Sequence, residues 1–284
     1  MSQQSQPSTY TQGYSSHTTS TQQSRTAESD AAFLIPHIKK GDHILDIGCG
    51  PGTITTGFIK YVSEGSVIGI DISPDVLQKA QAHATSANIP TSGPGSVTFQ
   101  EGNIFEGLPF PDDTFDIVYC SQVLGHFPPP DLPLEALTEM RRVLKTGGIL
   151  ATREAIDAHF YPKSLDLDRL WLGKSRKAVR KGAPEVDSTS TRLPALLRAV
   201  GFDADRGKVK VGAGTRVFAG RETRGWLAWR AEGQLTEGDP FRQSWIEVGI
   251  TEEEIQETLV AVRKWAGTED AWFVAVEGEM LAWK

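Results

Sequence analysis

The sequence predicts a doubly wound α/β fold with a mostly parallel seven-stranded sheet and a helical insertion in the C-terminal half. Short apolar runs alternate with longer segments in which apolar residues recur at helical spacing. A glycine-rich turn separates the first apolar run from the helix that follows it. The 284 residues, of which 39% are hydrophobic, are enough to bury one large core with an added lobe.

The first half of the chain supplies five strands and the helices between them. Strands are predicted at 43–47, 66–71, 97–99, 115–120 and 148–152. Helices are predicted over 28–38, where Pro36 limits the helix, from Ile54 to Val62, from Ser73 or Pro74 to Ala80, and from Leu134 to Leu144. Strands that alternate with helices in this way form parallel βαβ units.

The second half is less regular and carries all seven tryptophans. Helices are predicted over 157–187, over 193–200 before Gly201, and in a tryptophan-rich stretch that reaches Ala266. Strands are predicted at 209–211 and 271–283. Most of the large aromatic rings are expected to pack inside this lobe.

Charge and hydropathy narrow the function classes. The formal net charge of −7 is spread without long runs of one sign, which argues against nucleic acid as the main partner. No stretch approaches the roughly 18 apolar residues of a membrane span, and the first residues do not read as a signal peptide. Residues 1–24, rich in Ser, Thr and Gln, are expected to be disordered. A cytoplasmic enzyme is therefore expected.

Cysteine usage points to neither a disulfide nor a metal. Cys49 and Cys120 both lie at the ends of apolar runs, and neither has a partner at metal-ligand spacing. Both thiols are expected to be reduced and buried, and no metal site is predicted.

The segment Asp46-Ile-Gly-Cys-Gly-Pro-Gly52 is the strongest functional signal. Glycines at a strand-to-helix turn let the backbone approach a ligand, and the helix N-terminus supplies free N–H donors. Asp46 would repel a pyrophosphate but would favour the ammonium of an amino acid. Asp71, about 20 residues beyond the last glycine, is placed to accept both hydroxyls of a ribose. We interpret the pattern as a site for a nucleoside that carries methionine; a purely structural turn is the alternative.

At these residues the chain resembles the class I S-adenosylmethionine-dependent methyltransferases, in particular the ubiquinone/menaquinone-biosynthesis C-methyltransferase-like group. Segments 102–110, 115–121 and 141–148 are similar to the family's loop after the third strand, its fourth strand and its entry to the fifth. The resemblance is strong over 10–155 and loose beyond. It implies the Rossmann-like methyltransferase fold, S-adenosyl-L-methionine as cofactor, S-adenosyl-L-homocysteine as product, and a small-molecule methyl acceptor.

The resemblance also implies which residues contact the cofactor. The glycines would line methionine and ribose, Ile72, Asn103 and Ile104 would meet the adenine, and Ser121 and Gln122 would lie beside the methionine. The family usually has Asp at position 103, and Asn can still accept through its carbonyl. The full expected set is Tyr14, Arg25, Asp46, Gly48, Cys49, Gly50, Gly52, Asp71, Ile72, Asn103, Ile104, Ser121 and Gln122.

Catalytic candidates follow from the same resemblance. Methyl transfer from a sulfonium needs little beyond an in-line nucleophile in a dry site, but an oxygen or nitrogen acceptor also needs a base. His126, His17 and Glu154 are the candidates, although the family often has a second histidine where Gly125 stands. The alternatives are a loop cap for His126 and, for Glu154 and Asp157, solvated loop carboxylates, one of which pairs with Arg153.

Two segments outside the sheet have expected roles. The arm 1–27, with Tyr14 and His17, resembles a segment that folds over the cofactor as a lid in related enzymes. Trp171, in the insertion that commonly covers the pocket of similar enzymes, is expected near the acceptor. We therefore divide the chain into the arm 1–27 and a methyltransferase domain over 28–284, with a cofactor-binding core over 28–155, substrate-side helical additions over 156–270 and a last strand over 271–284.

The sequence thus predicts an S-adenosylmethionine-dependent methyltransferase of small-molecule or secondary metabolism, acting as a monomer or homodimer. An exposed last strand is one surface on which two copies could pair. A non-catalytic S-adenosylmethionine-binding regulator is the first alternative, because a fold alone does not establish chemistry. A nicotinamide-dependent oxidoreductase is the second, but it would favour G-x-G-x-x-G and no acid at Asp46. The sequence does not identify the acceptor atom.

Overall fold

The computed structural model describes residues 15–127, 131–181, 188–203 and 206–284. Within them the chain forms two compact units. The sheet unit contains the described parts of 19–157, 186–216 and 275–284. The helical unit contains the described parts of 1–18, 158–185 and 217–274.

Seven strands form one sheet in the order β3-β2-β1-β4-β5-β7-β6. Their bounds are His43–Ile47 (β1), Ser66–Asp71 (β2), Ser96–Glu101 (β3), Phe115–Ser121 (β4), Leu144–Tyr161 (β5), Val209–Phe218 (β6) and Trp272–Trp283 (β7). Strands β1 to β5 pair in parallel, with Ile47 opposite both Ile70 and Cys120. The strand order reverses between β1 and β4, which is where open α/β sheets bind ligands. The predicted doubly wound, mostly parallel sheet is confirmed.

Ten α-helices complete the described fold. They are Ser16–Gln23 (α1), Ala27–Asp30 (α2), Thr53–Gly57 (α3), Pro74–Ser86 (α4), Asp131–Val143 (α5), Lys174–Val179 (α6), Thr189–Ala199 (α7), Arg221–Gln234 (α8), Pro240–Glu247 (α9) and Glu252–Gly267 (α10). Among the described helices, none is long and apolar enough to cross a membrane.

Both faces of the sheet are buried, which explains why its central strands are continuous apolar runs. Successive residues of a strand point to opposite faces. Accordingly, Leu45 and Val118 belong to one hydrophobic cluster, whereas Ile44 and Ile117 belong to another. Cys49 and Cys120 are buried and not in a disulfide, as predicted.

The helical unit has an aromatic core of its own. Trp245 and Trp265 are fully buried within it. Trp171 lies in the same core, with its ring centre 5.7 Å from that of Trp245 and 6.0 Å from that of Phe241. Because only 7% of Trp171 is exposed, it packs in this core, and its expected role beside an acceptor is not supported.

Several predicted elements are wrong in extent. The helix predicted over 28–38 is split into α2 and a single 3₁₀ turn over Ile35–His37, since Pro36 cannot continue a helix interior. Strand β5 runs to Tyr161, so the helical excursion predicted from residue 157 starts as a strand. The last strand, β7, lies between β5 and β6 and therefore offers no free edge for dimerisation.

The prediction of disorder is wrong for the part of residues 1–24 that forms α1. Its sequence is polar, yet Thr18 and Thr19 are each only 1% exposed. Within the helical unit, the buried Nε2 of Gln234 donates to Thr18 Oγ1 at 2.9 Å. Tertiary contacts thus order a segment whose composition favours disorder.

Candidate functional site

The glycine turn connects β1 to α3 at the reversal point of the sheet. Gly48, Gly50 and Gly52 have φ values of 69°, 54° and 77°, in the left-handed region that favours glycine. The N–H groups of Gly48 and Cys49 both donate to the carbonyl of Ile70, at 2.8 and 2.9 Å. The turn is therefore held against the end of β2, beside Asp71.

Asp46 is buried on β1, directly before this turn. Its Oδ2 accepts a hydrogen bond of 2.6 Å from Thr55 Oγ1 on α3. Burial raises the pKa of Asp46 to about 7; the Thr55 bond opposes that rise and the charge of Asp71 adds to it. A cation placed beside Asp46 would favour its ionised form, which fits the expected ammonium.

Asp71 ends β2 and is fixed by backbone donors. Its Oδ2 accepts from the N–H of Gly50 at 3.0 Å, and its Oδ1 accepts from the N–H of Ser73 at 3.1 Å. Burial raises the pKa of Asp71, whereas these backbone bonds lower it. Each carboxylate oxygen keeps capacity for a second donor, so both can receive hydroxyl groups of one ligand.

The residues expected beside the adenine lie after β2 and β3. Ile72 is 40% exposed although it is a large aliphatic residue, as a stacking surface requires. Asn103 Oδ1 accepts from the N–H of Phe105 at 3.1 Å, and its Nδ2 donates to Glu106 Oε1 at 3.1 Å. Asn103 thus caps the 3₁₀ turn that contains the buried Ile104, and its carbonyl retains only one accepting position.

Gln122 has an unusual conformation at the end of β4. Its φ is 59°, which is uncommon for a non-glycine residue. Its N–H donates to the Arg153 carbonyl at 2.8 Å, and its Oε1 accepts from the N–H of Ala155 at 3.3 Å. Its Nε2 is buried and has no hydrogen-bond partner within the described parts of the chain. A buried amide donor of this kind is available to an acceptor atom of a ligand or of a water molecule. Ser121 beside it is also buried.

His126 and Arg25 share an electrostatic environment. Burial lowers the pKa of His126 to about 4, and the positive charge of Arg25 lowers it further. The imidazole is therefore neutral near pH 7 and able to accept a proton only as a weak base. Arg25 also opposes the rise in the pKa of Glu154. The charge of Arg25 therefore acts on both His126 and Glu154.

The location expected for Glu154 is wrong. It lies inside β5 with 2% exposure, and it is not a solvated loop carboxylate. Its oxygens accept from the N–H groups of Val123, Leu124 and Gly125 at 2.9, 3.0 and 3.1 Å. Burial raises its pKa to about 7 against the effect of these bonds. Both oxygens hold the backbone that follows β4, and the role of Glu154 as a base stays a prediction.

The suggested pairing of Arg153 with Glu154 is wrong. Strand residues alternate in direction, so Arg153 points to the opposite face from Glu154. Its guanidinium contacts Asp30 Oδ1 at 2.8 Å, Glu279 Oε1 at 3.2 Å and the carboxylate of Glu277.

The predicted arm residues fall in different places. Tyr14 lies outside the described residues. His17 belongs to the helical unit, where its ring centre is 4.5 Å from that of Trp229. The role of His17 as a base stays a prediction. Arg25 lies in the sheet unit, as do the predicted site residues from Asp46 to Glu154.

Three residues at the turn were missed by sequence reasoning. The Gln22 carbonyl accepts from Thr53 Oγ1 at 3.2 Å, and a Cβ built at Gly50 would lie 3.5 Å from Gln22 Oε1. Val123 fills the space beside Gly48, where a Cβ would come within 2.5 Å of its Cγ2. Thr55 is the third, through its bond to Asp46. A hydroxyl at the start of α3 is a weak signal for Thr55, but no sequence pattern indicates the other two.

The chain is similar to methyltransferases from several organisms. The family described as "Methyltransferase domain" matches residues 38–190. A protein of Aspergillus luteorubrus named "Probable methyltransferase ltbC" is 63% identical over 285 residues, which cover 100% of each chain. A demethylmenaquinone methyltransferase of Symbiobacterium thermophilum is 37% identical over 120 residues, which cover 42% of this chain and 45% of its own. The resemblance to the menaquinone-biosynthesis group is thus confirmed.

The fold has a solved counterpart. The crystal structure of YcgJ from Bacillus subtilis matches with a TM-score of 0.57, covering 90% of this chain and 97% of that one. The two sequences are 20% identical, so the match establishes the shared sheet and helices and not a shared substrate.

Proposed function

This chain is a member of the methyltransferase domain family, and from that premise we propose that it binds S-adenosylmethionine and transfers the sulfonium methyl group to a small molecule. The observation that carries the proposal is the pair of buried carboxylates, Asp46 and Asp71, on either side of the left-handed glycine turn. A pyrophosphate would be repelled by this pair. A ligand with an ammonium at one end and a ribose diol at the other satisfies both.

The residues present fit such a ligand. Asp71 would accept the ribose hydroxyls, Ile72 would pack on the adenine, and Asp46 would favour the ammonium. The Nε2 group of Gln122 is a buried donor without a partner among the described residues, and it suits an oxygen acceptor on the same ligand. Arg25 adds a positive charge suited to a carboxylate.

The bound cofactor supplies an electrophilic methyl group; the methyl–sulfur bond breaks as the bond to the acceptor forms. The chain's own residues contribute position and exclusion of water, because charge on sulfur disappears in the transition state. His126, neutral near pH 7, is the side chain suited to hold the acceptor's proton, directly or through water. Its low pKa favours an acceptor that ionises readily.

A small-molecule acceptor suits the composition better than a nucleic acid does. Acidic residues outnumber basic ones, which gives a net charge of −7. Binding to nucleic acid phosphates relies instead on an excess of Lys and Arg at the surface. We place the reaction in small-molecule metabolism, including secondary metabolism.

Calorimetric titration tests the cofactor. S-adenosylmethionine and S-adenosylhomocysteine are expected to bind the purified chain, and NADH is not. Asp71→Ala should abolish this binding, whereas Asp75→Ala, in the first turn of α4, should retain it. Binding of NADH alone would overturn the proposal.

A further inference from the structure

Three consecutive residues of β5 hold the segment that follows β4. The Arg153 carbonyl accepts from the N–H of Gln122, and the N–H of Ala155 donates to Gln122 Oε1. Between them, Glu154 accepts from the backbone of Val123, Leu124 and Gly125 with distances of 2.9 to 3.1 Å. Residues 153–155 therefore fix both the backbone of residues 122–125 and the side chain of Gln122.

The other side of this segment is closed by α7. Thr189 Oγ1 donates to the carbonyl of Phe127 at 2.9 Å. A Cβ at Gly125 would lie 3.0 Å from Ser190 Oγ and 3.2 Å from Glu154 Oε2. Position 125, where the family often has histidine, thus has little room for a side chain, because α7 and Glu154 approach it from both sides.

This arrangement determines which atoms of Gln122 remain available. Its amide oxygen is used by Ala155, and its left-handed backbone conformation persists only where surrounding bonds enforce it. The buried Nε2 keeps its donors without a partner in the described structure. Glu154 acts on this segment through the three backbone N–H groups that its two oxygens accept.

We propose that Glu154 is a positioning residue, which fixes the turn after β4 so that the side-chain amide of Gln122 is presented as a hydrogen-bond donor to a bound S-adenosyl ligand. The donor half of this inference, in which the Gln122 amide donates to the ligand, rests on the proposed function. The positioning half concerns the protein alone and can be tested without any ligand.

Amide NMR tests the positioning half. The N–H groups of Val123, Leu124 and Gly125 are expected to shift together between pH 5 and 9, with one midpoint near the Glu154 pKa of about 7. Arg25 stays charged in that range, and burial raises the pKa of the neighbouring Cys120 thiol well above its usual value. Asp46 also titrates near 7, so Asp46→Asn should keep the shifts and Glu154→Gln should remove them. Shifts that survive Glu154→Gln would overturn the positioning role.

A double-mutant cycle tests the donor half, with S-adenosylhomocysteine as the calorimetric probe. Glu154→Gln places an amide donor against backbone donors, and Gln122→Ala removes the presented amide. Each single variant is expected to bind S-adenosylhomocysteine roughly tenfold more weakly. The double variant should bind no more weakly than either single variant, because all three lose the same hydrogen bond from Gln122 to the ligand. Losses that multiply would overturn the inference.

Asp116→Asn is the matched control. Asp116 also accepts a backbone N–H, from His43 at 2.9 Å, but at the opposite end of β4. Its variant should lose stability without losing affinity, and an equal loss of affinity in it would count against the role of Glu154. If the wild-type chain binds no S-adenosylhomocysteine, the proposed function and the donor half fail together, while the amide titration still decides the positioning role.

Discussion

Arg153 Nη1 lies 2.8 Å from Asp30 Oδ1, and the two side chains are 3% and 1% exposed. Asp30 Oδ2 also accepts from the N–H of Thr26 at 3.2 Å and from Ser29 Oγ at 2.6 Å. This pair therefore anchors α2, which begins two residues after Arg25, to strand β5.

Removing Asp30 should be costly. Asp30→Ala leaves Arg153 with fewer partners in a buried site, and the free energy of unfolding is expected to fall by about 3 kcal/mol. Urea denaturation of the wild type and the variant measures this difference in the free energy of unfolding. Asp112→Ala is the control, because Asp112 pairs with Arg142 at 2.8 Å but is 72% exposed, so its loss should stay below about 1 kcal/mol. Equal losses in the two variants would contradict a structural role for the buried pair.

The glycine turn should tolerate no side chain at position 52. A Cβ there would lie 2.8 Å from both Ala80 Cβ and Phe99 Cζ. Gly52→Ala is expected to cost about 1–3 kcal/mol for this overlap, in addition to the backbone cost. Gly93→Ala isolates the overlap, because Gly93 has a similar φ of 80° and open space around it. Thermal denaturation of both variants should show a larger loss at Gly52.

Helix α8 offers a test of how α1 is ordered. A Cβ at Gly233 would lie 2.1 Å from the His17 ring, whereas one at Gly225 meets nothing within 4 Å. Gly225→Ala should stabilise the protein by about 0.5–1 kcal/mol, and Gly233→Ala should destabilise it. Adding His17→Ala should reverse the sign of the Gly233→Ala effect. Failure of that rescue in chemical denaturation would show that His17 does not pack there.

The contribution of Asp46 to stability should fall as pH rises from about 4 to about 7. Asp46 has its pKa raised to about 7 by burial, while in the unfolded chain it is about 3.9. The folded state therefore binds this proton more tightly, and ionisation of the unfolded state weakens folding across the interval. Asp46→Asn should reduce the decline, which urea titrations at four pH values would measure. An unchanged slope would contradict the raised pKa.

Local patterns determined where the strands lie in the sequence, although not all of their ends, and they determined the glycine turn and the start of α4. Ser73 Oγ accepts from the N–H of Val76 at 3.4 Å, and Pro74 follows it, as the helix-start pattern predicts. These features depend on neighbours within a few residues, so a single sequence is enough to find them. The carboxylates that flank the turn were found in the same way, because each ends a recognisable strand.

The tertiary structure alone decided what the other charges do. Glu154 and Arg153 are adjacent in sequence, yet one holds the turn after β4 and the other pairs with Asp30 on the opposite face. The order of α1 and the limited space at Gly125 likewise depend on segments far away in the chain. Burial and backbone donors set the role of each carboxylate, and both follow from how distant strands and helices pack.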